Sequence, residues 1–361
     1  MKKVYFFLIL SVCFVHAKSQ DFGQVLAGST QDANKYLNAY LQPFAEGEIY
    51  NSARGWYSTA IAHKPLGVDL SVRFEAAIIP TQKQNFTFNN SDYATFKLHG
   101  TTTASLPTFM GGELNPAQQI DVSTTVNGQS ATTGFTAPKG IGNDFKKNIS
   151  FLPVSAPLPV AQLGIGLIKH TDIKLRYFPK TNFGNKGNGD DQVGIGIFGI
   201  GVQHEFTHYL PFAKKVPFLH LSALAAYSNT KVDYSPDMTN AGNTVTSTDG
   251  KISYAISSFT FQAIASVKFS LLEIYGALGY TTGKSDIDVK GTYKATYNTG
   301  YPPPNDKVSS TVTNPISLSY NVSGLSNTWG VRLNLAFLKI YGDYTIAKYN
   351  GISAGIAFSF R

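Results

Sequence analysis

Residues 351–361 read Gly351-Ile352-Ser353-Ala354-Gly355-Ile356-Ala357-Phe358-Ser359-Phe360-Arg361, and this stretch decides the fold. Ile352, Ala354, Ile356, Phe358 and Phe360 alternate with Ser353, Gly355, Ala357, Ser359 and Arg361, so a strand built from them has one apolar and one small or polar face. A soluble sandwich can end on such a strand, and the other end of the chain separates the two cases. Lys2 and Lys3 precede a nearly continuous apolar run, Val4 to Val15, and Ala17-Lys18-Ser19 offers small residues for cleavage, the pattern of a secretory signal peptide over residues 1–19. About 12 apolar residues fall short of the roughly 20 that a membrane-crossing helix needs. The one cysteine, Cys13, lies inside this run, so the mature chain is expected to form no disulfide.

Composition agrees with a wall that faces lipid on one side and a polar lumen on the other. The chain is 13% aromatic and only 14% charged, with 33 Gly, 20 Tyr and 25 Phe among 361 residues. After Val15 no run of 18 apolar residues occurs, which excludes helical spans. The formal charge is +8; without Lys2, Lys3 and Lys18, 27 basic residues stand against 22 acidic ones, a net +5 that is dispersed along the chain. Dispersed charge of this size argues against a nucleic-acid partner.

Outward from the C-terminal strand, the same period continues. About nine strands are expected beyond Pro159, near 160–168, 172–178, 192–208, 217–234, 252–268, 273–290, 324–336, 340–348 and 351–361. Tight connections fall at 168–171, 211–216, 269–272 and 337–339, and long polar segments at 179–191, 235–251 and 291–323. Counted back from a periplasmic C-terminus, every tight connection lands on the periplasmic side, as outer-membrane barrels require. Tyr349-Asn350-Gly351 is the one short external hairpin, and Asn-Gly favours a type I′ turn. Earlier, Val68, Leu70, Val72, Phe74, Ala76 and Ile78 form an apolar face opposite Asp69, Ser71, Arg73 and Glu75. Residues 81–159 are expected to add two or so strands with long loops. The resulting expectation is an all-β protein, a transmembrane antiparallel β-barrel of about 12–14 strands over residues 66–361. Residues 20–65 form a separate segment, in which Ala33, Tyr36, Leu37, Tyr40, Leu41 and Phe44 trace one stripe of a helix over Gln31–Phe44. That helix is expected to plug the lumen or lie on the periplasmic rim.

If the apolar face meets lipid, the opposite parity points inward. Asp69, Arg73, Glu75, Lys174, Arg176, Lys268, Arg332 and Asp343 are therefore the lumen-facing candidates, most simply as a mutually neutralising network, alternatively as a gate or substrate contact. His204-Glu205-Phe206-Thr207-His208 has the spacing of a zinc-protease helix. It follows a strand-like run from Val193 to Val202, however, and residues four apart on a strand lie roughly 13 Å apart, too far to share an ion. The alternative is a periplasmic rim with an aromatic girdle of Phe206, Tyr209 and Phe212. Asn185, Asn188, Asp190 and Asp191 offer oxygens for calcium without the spacing of a dedicated loop. The scattered Ser residues are best explained as lumen or loop positions. The expectation is no catalytic residue, no metal and no cofactor.

Several segments carry a resemblance: Tyr36-Leu37 to Pro43, Gly55-Trp56-Tyr57, His63-Lys64-Pro65-Leu66-Gly67, Leu106-Pro107-Thr108 and Leu158-Pro159-Val160-Ala161-Gln162-Leu163-Gly164-Ile165-Gly166. With these the chain resembles an uncharacterised family of Gram-negative outer-membrane proteins. The layout of helix then barrel is similar, more distantly, to outer-membrane long-chain fatty-acid transporters, although Asn115-Pro116-Ala117 stands too late in the chain to match their N-terminal Asn-Pro-Ala element. The last strand resembles the aromatic-ended strand read by the barrel-assembly machinery. The resemblance implies a place in the cell outer membrane after export, contact with outer-membrane lipids, and passive transport of a small hydrophobic ligand; the alternative is a structural or adhesive barrel acting through its external loops.

Overall fold

The computed structural model describes residues 24–360 apart from 127, 185–191, 212–214, 217, 237 and 239–243. The expected signal peptide, the calcium candidates Asn185, Asn188, Asp190 and Asp191, and Phe212 lie outside the described residues. One long helix, α1 (Thr30–Ala53), precedes β1 (Val68–Ile78). Then follow β2 (Asn85–Asn89), β3 (Phe96–Leu98), β4 (Thr103–Pro107), β5 (Gln119–Val126), β6 (Gln129–Thr136) and the short α2 (Gly142–Asn148). The remainder is strand: β7 (Ser155–Gly166), β8 (Thr171–Phe183), β9 (Gln192–Glu205), β10 (Leu219–Ser235), β11 (Val245–Thr246), β12 (Lys251–Phe269), β13 (Leu272–Lys290), β14 (Thr292–Asn298), β15 (Lys307–Thr313), β16 (Ile316–Leu335), β17 (Leu338–Ile346) and β18 (Gly351–Phe360).

Ten of these strands close an antiparallel barrel in the order β1-β18-β17-β16-β13-β12-β10-β9-β8-β7. Closure is made by β1, whose Val68 pairs with Phe360 and whose Ile78 lies beside Ser155 of β7. The nine strands expected beyond Pro159 are all in the wall. The total is ten rather than about 12–14, because the strands within residues 81–159 leave the wall. β3, β5 and β6 join β11, β14 and β15 in a six-stranded sheet, and β2 pairs with β4. These strands are short, and their inward residues, such as Phe88, Phe96, Ile120 and Phe135, bury against one another rather than against lipid.

The barrel wall is apolar outside. Leu278, Leu325 and Trp329 are 66%, 78% and 61% exposed, and exposed Leu70, Val72, Ile200, Val202, Ile274, Val331, Ile340 and Ile356 continue the surface across the other strands. Water-soluble monomers rarely expose a contiguous apolar surface of this kind, and a lipid-facing wall requires one. Aromatic residues edge it at both heights: Tyr177, Phe198, Tyr227, Phe261 and Tyr280 at one, Phe218, Phe269, Phe337, Phe358 and Phe360 at the other. From Phe218 to Tyr227 a tilted strand climbs about 23 Å, which matches an apolar band of about 25 Å. The molecule is an outer-membrane β-barrel whose short turns, at 167–170, 270–271 and 336–337, all lie at one end, the end that outer-membrane barrels as a class keep in the periplasm.

At the other end, the described residues of the connections 79–154, 236–250 and 291–315 build a lobe with its own core. Tyr36 of α1 is fully buried there, with the rings of Phe86, Phe88, Phe96 and Phe135 at 5.5, 6.3, 6.3 and 6.1 Å. The helix starts on an N-cap, Ser29, whose Oγ accepts the Asp32 N–H at 3.1 Å. Asp32 itself accepts the N–H of Ala94 and both the N–H and hydroxyl of Thr95, at 3.1, 2.5 and 2.6 Å. Burial pushes this carboxyl up, but the Thr95 hydroxyl and the N–H groups of Thr95, Ala94 and Phe96 outweigh it and hold the acid below its usual 3.8. A lowered folded value means stability that is complete above 3.8 and is lost as pH falls through the folded pKa. The protection of the Ala94 and Thr95 amides, measured against their intrinsic exchange rates, should therefore hold from neutral pH down to about pH 4 and fall below it, whereas Asp32→Asn should be less protected at neutral pH and show no acid step. An acid step retained in that variant would remove Asp32 as its cause.

Candidate functional site

The stripe expected over Gln31–Phe44 belongs to the half of α1 inside the lobe. The helix runs on through Pro43 to Ala53, and residues 45–53 are all buried. No apolar stripe marks this second half because wall surrounds it on every side. Pro43 has no N–H for the Ala39 carbonyl; nearby, Tyr40 O accepts the Phe109 N–H at 2.8 Å and Asn38 O accepts the Tyr320 hydroxyl at 3.2 Å. Below α1, residues 54–63 descend without regular structure to the periplasmic mouth, then turn at His63–Gly67 into β1.

An extended segment inside a membrane barrel has backbone groups that neither water nor a neighbouring strand satisfies, and each left unpaired costs several kcal/mol. The wall supplies the partners. Arg176 donates Nη1 to Ser52 O (3.2 Å), Nη2 to Arg54 O (2.7 Å) and Nε to Gln162 Oε1 (3.0 Å). Arg73 donates Nη1 to Tyr57 O (2.7 Å) while its Nε and Nη2 meet Glu75 (3.0 Å) and Asp343 (3.2 Å). Gln162 donates to Trp56 O and Gln203 to Thr59 O. Ser266 accepts the Ala60 N–H, Glu205 the Ala62 N–H, and Asp172 both the N–H and Nδ1 of His63. Thr59 donates its hydroxyl to Glu273, and Arg54 reaches Tyr349 O. Higher up, Asn51 donates to Ala156 O at 2.7 Å and Ser52 to Ser258 at 2.8 Å.

The eight candidate lumen residues distribute as follows. Arg73, Glu75 and Asp343 form one cluster, with Ser353 donating to Glu75 and Tyr275 to Asp343 (2.7 Å). Arg176 stands apart from it against Trp56. Arg332 donates to Ser58 at 3.2 Å and pairs in register with Glu273. Lys174 is buried, Asp69 accepts the Ser359 hydroxyl at 2.7 Å nearer the periplasmic mouth, and Lys268 continues the inward parity of Gln262 and Ser266 but is exposed. The expected network of mutual neutralisation is therefore local to Arg73, Glu75 and Asp343, while Arg73 and Arg176 also donate to backbone carbonyls of residues 52–57. Gln162, Gln203, Glu205, Asp172 and Ser266 hold the backbone of the segment, and Glu273 the Thr59 hydroxyl, without having been singled out as lumen residues. Asp172 and Ser266 share the inward parity of Lys174, Arg176 and Lys268 on their strands, whereas Gln162, Gln203, Glu205 and Glu273 stand on strands that carried no charged candidate.

One large aromatic side chain of the inner segment is packed into the lumen. The Trp56 indole is 1% exposed, with the Arg176 guanidinium 3.8 Å from its ring centre. A Cβ added at Gly199 or Gly201 of β9 would come within 3.0 and 2.9 Å of the indole, so these glycines make its slot. Beside it, the cavity lined by Tyr50, Arg54, Gly55, Tyr57 and Asp343 measures about 20 Å³, room for about one water.

The zinc-protease spacing takes a different form. β9 continues through Glu205, and a turn over Thr207–Tyr209 follows. His204 Nδ1 lies 2.9 Å from the Thr171 hydroxyl, Glu205 is held by Ala62 and His220, and the His208 ring lies 4.1 Å from that of His170. Among the described residues no group of three or more His, Cys, Asp or Glu is placed to hold a metal ion. Of the expected rim aromatics, Phe206 is half-buried and Tyr209 exposed at the periplasmic mouth.

Similar solved structures share little sequence with this chain. The attachment invasion locus protein Ail of Yersinia pestis, solved with the heparin analogue sucrose octasulfate, is 8% identical over 82% of this chain and 100% of its own, with a TM-score of 0.26. The outer membrane transporter YddB from Escherichia coli is 11% identical over 81% of this chain and 41% of its own, TM-score 0.29. The beta domain of the Bordetella autotransporter BrkA is 9% identical over 82% and 100%, TM-score 0.25. No curated protein matches the chain. The model of a family of unknown function, DUF6588, matches residues 1–360, and the chain belongs to that family.

Proposed function

We propose that this protein is a sealed outer-membrane anchor that holds a folded lobe at the cell surface, and that it acts through contacts of the lobe rather than by permeation. The observation that carries the reading is the occlusion of the lumen by residues 45–63, whose backbone is hydrogen-bonded to wall side chains at level after level from Arg176 to Asp172, with Asn51 donating to the wall carbonyl of Ala156 above them. Passive transport of a small hydrophobic molecule, the other expectation from sequence, needs a route past Trp56, where the slot between Arg176 and Gly201 is already filled.

Purified protein refolded into planar bilayers should give no current steps, and loaded liposomes should not swell in small sugars. Steady, unitary conductance from the unmodified protein would defeat the sealed-anchor reading and return transport to first place.

A further inference from the structure

We infer that the barrel carries its own N-terminal segment across the membrane, so that Gln24 and the mature residues ahead of it are displayed outside the cell while Val68 and Phe360 stay at the periplasmic end. The inference rests on the order of residues along the lumen. β1 starts at the short-turn end, where Val68 pairs with Phe360 and Ile165. The chain before it meets ever more distant wall positions: His63 at Asp172, Trp56 at Gly199 and Gly201, Asn51 at Ala156, and finally Asp32 inside the lobe at Thr95. A chain delivered to the barrel from the periplasm begins with all of these residues on the periplasmic side. Covalent continuity then leaves the lumen as the path by which α1 reaches the lobe.

The local structure shows how it travels. At the periplasmic mouth the chain makes a hairpin: Leu66 has φ 62, Gly67 N–H donates to Lys64 O at 2.8 Å, and Leu66 N–H donates to Gly166 O at 2.9 Å. Residues 54–63 then rise antiparallel to β1, which holds them through Arg73 and Tyr57 O. The fit is too close for threading through a finished wall. A Cβ at Gly55 would lie 1.9 Å from Glu75, and one at Gly47 3.3 Å from Ile79. The segment therefore enters together with β1 as a hairpin, before β18 closes on β1. What passes this way is an unfolded or helical peptide, not a folded domain.

This inference shares with the sealed-anchor reading only the outward orientation of the lobe; it does not depend on whether the protein conducts. Cys13 is the one cysteine of the sequence, so single cysteines placed downstream are clean probes once the leader is removed. Three exposed positions serve: Gln31→Cys in α1, Lys307→Cys in the lobe and Lys169→Cys in a short turn. On intact cells a membrane-impermeant maleimide should label Gln31→Cys and Lys307→Cys fully and Lys169→Cys not at all, and after permeabilisation all three should react. Labelling at Lys307→Cys without Gln31→Cys would overturn the inference while leaving the lobe outside. Labelling at Lys169→Cys on intact cells, with or without the others, would overturn the assigned sidedness and the inference with it, and so would labelling at none of the three. A short epitope placed directly ahead of Gln24 should be stained on the same intact cells, and its concealment would overturn the inference as well.

Discussion

Replacing Arg176 by alanine should lower the barrel's unfolding free energy by about 3–5 kcal/mol and introduce current steps in planar bilayers. The guanidinium makes two charge-assisted bonds to carbonyls of the inner segment, one to Gln162, and a close stack on Trp56. Charge-assisted bonds contribute about 1.5–3 kcal/mol each, and a desolvated cation–π contact about 2 kcal/mol. Alanine removes all of these and leaves the carbonyls of Ser52 and Arg54 buried without that donor, so the segment loosens beside Trp56. Arg176→Lys should recover only part of the loss, because an ammonium cannot reproduce the planar fork or the stack. Heat-modifiability on semi-native gels reads the stability and bilayer recording reads the leak. An alanine variant as heat-resistant and as silent as the native protein would show that the segment is held elsewhere.

The second large effect is expected at Trp56. Trp56→Ala should cost about 3–5 kcal/mol, the lost transfer energy of a large aromatic plus the hole it leaves. The site collapses poorly, because its walls are barrel strands: Gly199 and Gly201 on one side, with Leu224, Ala226, Ile264, Tyr275 and Ala277 in the same cluster. Added indole should raise the melting temperature of the alanine variant and leave the native protein unchanged, since only the variant has an empty slot of that shape. The reciprocal change, Gly201→Leu, places a Cβ 2.9 Å from the indole and should also destabilise. Combining the two should cost less than the sum of the single changes, by about 1 kcal/mol or more. Strict additivity in that double-mutant cycle would mean that indole and glycine do not share a slot.

These expectations turn on residues that were unequally visible beforehand. The wall strands beyond Pro159 and the gathering of their short turns at one end were legible because lipid imposes a period of two on every strand and outer-membrane barrels alternate short turns with long loops. The same alternation put Arg73, Glu75, Arg176 and Asp343 on the inner face. Their partners were not legible, because a carbonyl such as Tyr57 O or Arg54 O leaves no mark in sequence. The second half of α1 was missed for a related reason. Ala45-Glu46-Gly47-Glu48-Ile49-Tyr50 has no amphipathic stripe, and it needs none where wall encloses it on all sides.

The sequence by itself determined the membrane-facing wall, since alternating side chains exposed to hydrocarbon and to a polar interior carry their own pattern. Tertiary structure alone decided that residues 81–159 leave the wall to build a lobe, because a short strand with one buried face looks the same whether lipid or another sheet covers it. It alone decided, too, that the N-terminal segment spans the lumen from lobe to periplasmic mouth. That placement depends on contacts such as Asp32 to Thr95 and Arg73 to Tyr57, between groups far apart in the chain or invisible in its side-chain pattern, and no local periodicity records them.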